Sequence, residues 1–305
     1  MKVLICDPIA EDGINMLRNN RFEVDIKTGM EKEELKNTIK NYDAIVVRSA
    51  TKVTSDVIEC AENLKLIVRG GVGIDNIDVN AAKEKNITVL NTPTASTVSV
   101  AEHTFALLLS LVRSISLADK GLKEGKWEKK KFKGTELYNK TLGLIGTGRI
   151  GLAVAKRAIG FEMKVIGYDP YLDPNIMVDN GINPVDNLDE LLLKADIISL
   201  HIPLTEDTKH LINAEKIQKM KDGAILINCA RGGVVDEKAL YQALISGKLA
   251  GAALDVFEQE PPENSPLLKL DNVILTPHIG AATKEAQKRV GIESAKTIIQ
   301  FFEKK

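Results

Sequence analysis

A glycine-spaced run in the middle of the chain, TLGLIGTGRIG at 141–151, constrains the fold more than any other feature. The apolar residues up to Ile145 read as a buried strand, the glycines as a tight turn, and the residues from Arg149 as the opening of a helix. Gly146 serves the turn. Gly148 lets backbone N–H groups approach a pyrophosphate at the helix N-terminus, and Gly151 lets the helix, through Arg149 and Ile150, start close to its strand. A second apolar run, 164–168, ends at Asp169, about 20 residues on, where a carboxylate can accept hydrogen bonds from a ribose diol. Strand, glycine turn, helix and acid together read as a dinucleotide-binding βαβ unit. It begins only at Thr141, so a substantial region precedes it and the nucleotide domain is embedded in the chain.

At 305 residues the chain accommodates two domains, each large enough for its own core. A net charge of −1 provides no field for nucleic acid or an anionic membrane surface. Cys6, Cys60 and Cys229 are scattered, with no CxxC spacing and no Cys/His cluster, which excludes a metal site of recognisable spacing and fits a reducing, cytoplasmic setting. The first residues enter a strand directly, leaving no room for a signal peptide, and the longest apolar stretch, 105–112, is too short to span a bilayer.

Before the fingerprint, apolar runs at 3–5, 44–47, 66–68 and 88–90 alternate with helical patterns at 11–19, 32–40, 55–62 and 80–85. A long helical pattern, 98–121, leads to the fingerprint. Strand patterns then recur at 165–168, 197–200, 224–228, 251–254 and 273–275, and a helix follows from Lys284 to Glu303. The expected class is α/β with two doubly wound parallel sheets: a Rossmann nucleotide domain, 98–283, inserted into a flavodoxin-like domain, 1–97 plus 284–305. The segment KVLICDP at 2–8 echoes KVIGYDP at 164–170, as two domains of one type would.

Three ionisable residues follow strand patterns in the second half: Arg231 in NCARGG, Glu260 in LDVFEQEPP and His278 in TPHIGA. Ligands of open α/β sheets bind outside the carboxyl ends of the strands, so the three can converge there. A histidine that moves a hydroxyl proton, a carboxylate that holds its ring and an arginine that grips a carboxylate suit the oxidation of an alcohol. Spacing alone leaves a purely structural histidine open at this point. The glycines of 69–73 (RGGVG) follow a strand and form a natural anion nest, and Arg48 with Ser49, at another strand end, is suited to a phosphate. His103, His201 and His210 read as structural, cofactor-adjacent and surface residues.

The fingerprint and these three motifs, in this order over essentially the whole chain, resemble the D-isomer-specific 2-hydroxyacid dehydrogenases. The segments VRSATKVT at 47–54, KKKFKGTEL at 129–137 and TKEAQ at 283–287 are similar to members that act on a phosphorylated acid. The resemblance implies a catalytic set of His278, Glu260 and Arg231 in an interdomain cleft. It implies an NAD site built by Val72, Gly146, Gly148, Arg149, Ile150, Gly151, Asp169, Ile202, Cys229, Ala230, Arg231, Asp255, His278, Gly280 and Ala281, with Asp255 holding the ring carboxamide. Arg48, Ser49, Gly70 and Gly71 become substrate contacts, and a homodimer forms through the nucleotide domain around 98–133. Gly70 stands where the family more often has alanine, and TAST at 94–97 departs from the usual pattern.

Asp169 with no basic residue in 170–175 favours NAD over NADP, because a carboxylate repels a 2′-phosphate. The expected substrate class is a phosphorylated 2-hydroxy acid. Relatives acting on unphosphorylated acids share every catalytic residue, and a non-enzymatic NAD(H)-sensing protein on the same fold is the reading from another class. Because the sequence ends just after the last helical pattern, no C-terminal effector-sensing module is expected.

Overall fold

In the computed structural model, which describes residues 1–303, parallel strands alternate with helices along nearly the whole chain. The order opens β1 (Lys2–Ile5), α1 (Glu11–Asn19), β2 (Glu23–Ile26), α2 (Lys32–Thr38), β3 (Ala44–Val47), α3 (Ser55–Glu59), β4 (Leu66–Arg69), α4 (Val79–Glu84) and β5 (Thr88–Asn91). Two helices follow, α5 (Thr97–Val112) and α6 (Ile115–Lys123). Next come β6 (Thr141–Ile145), α7 (Arg149–Gly160), β7 (Lys164–Tyr168), α8 (Pro174–Asp179), β8 (Asn183–Pro184), α9 (Leu188–Lys194) and β9 (Ile197–Leu200). The chain closes with α10 (Ala214–Lys219), β10 (Ala224–Asn228), α11 (Glu237–Ile245), β11 (Leu249–Leu254), β12 (Val273–Leu275) and α12 (Lys284–Glu303).

The chain divides into a split unit, Met1–Ser96 with Ala281–Lys305, and a central unit, Thr97–Gly280. Residues 281–283 lead into α12 because Thr283 caps that helix, its Oγ1 accepting from Ala286 N at 3.1 Å. The split unit carries a five-stranded sheet in the order β2-β1-β3-β4-β5, the flavodoxin-like arrangement. The central unit carries seven strands in the order β12-β11-β10-β9-β6-β7-β8, the Rossmann arrangement extended at one edge. Every pairing is parallel, so the α/β class expected from the alternation of patterns is the class observed.

The central strands are apolar on both sides because helices cover both faces. All four residues of β3 and all four of β9 are buried. In β6, Leu144 is fully buried, a burial that contributes about 2 kcal/mol relative to exposure. Helix α12 returns to the split unit and buries Ala295, Ile298 and Phe302 against Val3, Ile5, Val46 and Val68.

Two strands lie outside the expected pattern. β2 (EVDI) has no fully buried residue and β8 is two residues long, so neither carries a continuous apolar run. The helix expected over 98–121 is two helices, bent by 63° at a break where Ser114 takes φ +50°. Among the described residues no single helix is long and apolar enough to cross a membrane; the bent pair passes by length and composition only, and half of α5 is buried inside the central unit.

Candidate active site

Parallel register builds the site. Tyr168 pairs with Ile145, Ile145 with Leu200, Leu200 with Asn228, Asn228 with Leu254, and Leu254 with Leu275. The next residue along each strand therefore stands in one row across the carboxyl edge: Asp169, Gly146, His201, Cys229, Asp255 and Thr276. Strands about 4.8 Å apart make this a continuous ledge. Sequence position scatters these residues over more than a hundred positions, and the ladder collects them.

The glycine turn lies at the switch point between β6 and β9, where the strand order reverses. Gly146 takes φ +88°, and a Cβ there would come within 2.6 Å of His201 O and 2.7 Å of Ile202 Cγ2. A Cβ on Gly151 would lie 2.4 Å from Gly146 O, so only glycine lets α7 begin against the turn. Gly148 is the N-cap of α7, offers no side-chain cap, and has nothing within 4 Å of its Cβ position. The first-turn N–H groups of this 12-residue helix thus receive no side-chain cap from Gly148, which fits a pyrophosphate. Asp169 is half-buried; its Oδ2 accepts from Thr147 N at 2.9 Å and its Oδ1 from Tyr171 N at 3.0 Å, which aims the carboxylate and leaves lone pairs for a diol. The glycine turn, α7 and Asp169 fit a dinucleotide. Burial lowers the His201 imidazole to a pKa of about 4; its Nε2 lies 2.9 Å from Ser199 Oγ, so the ring beside the turn is neutral at pH 7.

Farther along the ledge, His278 Nδ1 lies 2.8 Å from Glu260 Oε2, with both side chains well exposed at 46% and 39%. A carboxylate only accepts, so Nδ1 carries the hydrogen and Nε2 is the nitrogen left to exchange a proton. The Glu260 loop folds on itself through Phe257 N donating to Glu260 Oε1 at 3.2 Å. Gly232, next to Arg231, meets the same loop so closely that a Cβ would sit within 2 Å of Phe257 O. Arg231 itself is half-buried; its NH1 donates to Ala230 O at 2.6 Å, and Asn228 Nδ2 donates to Arg231 O at 2.8 Å. The Arg231 turn, the Glu260 loop and His278 are therefore in one linked chain of contacts. Cys229 is 8% exposed, and burial raises its thiol to a pKa of about 12, leaving it an inert wall.

Asp255, expected to hold a ring carboxamide, is 1% exposed and already accepts from four protein donors. Thr276 Oγ1 donates at 2.6 Å, Ile279 N at 2.8 Å, Gly280 N at 2.7 Å, and His103 Nε2 lies 3.2 Å away. Burial alone would raise its pKa, but these four hydrogen bonds hold it below the ordinary carboxylate value. Its main office in the structure is to fasten the loop that carries His278. Thr276 and His103 were not singled out by motif; the register of β12 against β11 is the signal that reveals Thr276.

Arg48, Ser49, Gly70, Gly71 and Val72 belong to the split unit, at the carboxyl ends of β3 and β4, and Ala281 opens the segment before α12. Buried Asp7, after β1, holds Arg48 N and Thr51 and so shapes this corner. The Arg48 guanidinium is largely interior: NH1 donates to Gln287 Oε1 at 2.5 Å and to Pro8 O at 3.3 Å, and burial lowers its pKa. Within the expected nest, 69–73, the two glycine amides at 70 and 71 are already engaged. Gly70 N donates to Val47 O at 2.8 Å, continuing the sheet ladder, and Gly71 N to Arg69 O at 2.9 Å. Among the described residues the N–H groups of Val72 and Gly73 have no protein acceptor, so the available donors lie there rather than at Gly70 and Gly71. The described residues hold no cluster of three or more metal-ligating side chains.

The family model described as D-isomer specific 2-hydroxyacid dehydrogenase, NAD binding domain, matches residues 105–280. The chain belongs to the D-isomer-specific 2-hydroxyacid dehydrogenase family, and its central unit is the NAD-binding domain. The D-3-phosphoglycerate dehydrogenase of Methanocaldococcus jannaschii is 56% identical over 98% of this chain and 57% of its own length. The hydroxypyruvate reductase of Thermotoga maritima is 54% identical over 98% of this chain and 97% of its own length. Among solved structures, the D-lactate dehydrogenase of Aquifex aeolicus, complexed with NAD and lactic acid, matches with a TM-score of 0.87 at 35% identity, covering all of this chain and 96% of that one. This chain spans little more than half the length of the archaeal phosphoglycerate dehydrogenases it matches.

Proposed function

We propose that this chain oxidises D-3-phosphoglycerate to 3-phosphohydroxypyruvate with NAD, the entry reaction of serine biosynthesis. The observation that carries the dehydrogenase reading is the half-exposed His278–Glu260 pair at the carboxyl edge of an NAD-binding sheet. Bound NAD supplies the acceptor for the hydrogen and electron pair leaving C2. His278 Nε2 takes the hydroxyl proton, and Glu260 keeps Nδ1 protonated and stabilises the imidazolium that forms. Arg231 grips the substrate carboxylate. The N–H groups of Val72 and Gly73 supply further donors to an anion, and Arg48 provides the cation for the phosphate. Similarity to phosphoglycerate dehydrogenases over nearly the whole chain supports the choice of acid.

A second reading is supported by a specific pair of observations. The Thermotoga hydroxypyruvate reductase matches end to end, and the Arg48 guanidinium is already engaged by Gln287 and Pro8. In that reading the substrate is the unphosphorylated keto acid. The discriminating measurement is NADH formation at alkaline pH with D-3-phosphoglycerate beside D-glycerate, D-lactate and 2-hydroxyglutarate, together with Arg48→Leu. We expect kcat/KM at least about tenfold higher for the phosphorylated acid, with Arg48→Leu erasing that preference. Equal or greater activity on D-glycerate sinks the phosphate assignment and establishes the second reading. Tight substrate binding without turnover establishes a sensing protein instead.

The same proposal makes the protein a cytoplasmic homodimer. Its contact is the stretch 98–133 of the central unit, supported by the exposed Ile115, Leu122 and Trp127, the last 82% exposed. Buried, unpaired Cys6 and Cys229 are in keeping with a reducing compartment.

A further inference from the structure

His278 has a backbone that L-residues seldom adopt, φ +53°, and something must hold it there. Its own N–H donates to Thr276 O at 3.0 Å, and the two following amides, Ile279 and Gly280, are clamped by the two oxygens of Asp255. The clamp is tight: a Cβ on Gly280 would lie 3.0 Å from Asp255 Oδ2 and 3.7 Å from His103 Cδ2. Asp255 can do this only if its carboxylate is fixed in orientation. Thr276 Oγ1 approaches the carboxylate from the preceding residues of the same loop, so it moves with the loop. His103 lies on α5, a 16-residue helix, and is independent of it.

His103 Nε2 lies 3.2 Å from Asp255 Oδ1 and 3.0 Å from Thr276 Oγ1, with its side chain 16% exposed. The partners determine the tautomer. The Thr276 hydroxyl spends its hydrogen on Asp255, so it offers His103 only a lone pair, and the carboxylate offers only lone pairs. Nε2 therefore carries the hydrogen and shares it between both oxygens.

We propose that His103 is a positioning residue for His278: its Nε2–H ties Asp255 and Thr276 to α5, and Asp255 in turn fixes the amides of Ile279 and Gly280. The helix thereby sets the direction in which the His278 ring faces Glu260. His103 touches neither His278 nor Glu260 by any hydrogen bond in the structure, so its effect travels only through the clamp. The catalytic arm of this proposal rests on the dehydrogenase reading above; the clamp itself does not.

The test compares two side chains of matched length. His103→Gln keeps an N–H where Nε2 stands, and His103→Met removes it. Amide hydrogen exchange is followed at Ile279 and Gly280, and kcat and KM are measured with NAD and the 2-hydroxy acid that the wild-type protein oxidises best. In the Met variant we expect exchange at both amides about tenfold faster and kcat about tenfold lower, with KM for NAD within about twofold of wild type. The Gln variant stays within about threefold of wild type in each measure. If Gln and Met behave alike, or if exchange at 279 and 280 is unchanged in the Met variant, the proposal is overturned. Should the Met variant not fold, Thr276→Val, which removes the shared oxygen at nearly constant volume, is expected to release the same two amides. A wild-type protein that oxidises no 2-hydroxy acid defeats the dehydrogenase reading, while exchange at 279 and 280 still decides whether His103 holds the clamp.

Discussion

Two histidine–carboxylate pairs of the central unit use the same chemical groups to opposite ends. His278 and Glu260 meet at 2.8 Å with side chains 46% and 39% exposed. His103 and Asp255 meet at 3.2 Å with side chains 16% and 2% exposed. In the exposed pair the carboxylate spends one oxygen on the ring, and the second ring nitrogen is left to exchange a proton with a ligand. In the buried pair the carboxylate serves four donors, and the proton it receives has nowhere else to go. Burial makes a fastener of the same two groups that, when exposed, leave a ring nitrogen open, because in a low-dielectric interior an unpaired partner costs several times what it costs at the surface.

The largest effect that sharpens this contrast is expected at the fastener. Asp255→Ala leaves Thr276 Oγ1, two amides and His103 Nε2 without their acceptor and should lower unfolding free energy by about 3 kcal/mol or more. Urea unfolding measures it, and a loss under about 1 kcal/mol would break the comparison. At the exposed pair the cost should fall on chemistry instead. His278→Ala is expected to lower kcat by about 10² or more while stability moves by less than about 0.5 kcal/mol. Near-wild-type turnover would remove His278 from the mechanism.

The smallest effect concerns a third histidine, one whose ring faces a hydroxyl. Burial depresses His201 from 6.5 to about 4, so the unfolded chain binds a proton in that window and the folded chain does not. Its contribution to stability is complete above pH 6.5 and is lost as pH falls from 6.5 toward 4. Asp255, held below the ordinary carboxylate value by its hydrogen bonds, keeps its contribution above that range and loses it only at lower pH. Between pH 7 and pH 5, His201→Asn should therefore lose about 2 kcal/mol less than wild type. An identical pH profile for the two proteins would show that His201 titrates normally in the folded state.

How far the sequence could be read depended on whether an element's signal was local. The strands of both sheets show as short apolar runs because both faces are covered, and the Gly146–Gly151 turn shows because only glycine fits two close backbone approaches. β2 and β8 were invisible, since edge strands bury too little to need an apolar run. The paired segments 2–8 and 164–170 announced two strands ending in aspartate, but not their different fates. Asp7 is 3% exposed and spends its oxygens on Arg48 N and Thr51, whereas Asp169 stays half-buried at the glycine turn. Likewise the loop at 69–73 read as a nest, and nothing local could show that the sheet ladder takes Gly70 N and leaves Val72 and Gly73 as the donors.

By itself, then, the sequence determined the α/β class, the NAD-binding turn and its acid, and the residue types in the motifs around Arg231, Glu260 and His278. Those are properties of short segments, where glycine sterics and the two-sided burial of a parallel strand leave few alternatives. Only the tertiary structure decided which of those residues meet. The register from β7 through β12 sets Asp169, Gly146, His201, Cys229, Asp255 and Thr276 in one row, and a helix from elsewhere in the chain brings His103 onto it. Burial then gave two similar pairs different work, and burial is fixed by what packs around a residue, not by the residue itself.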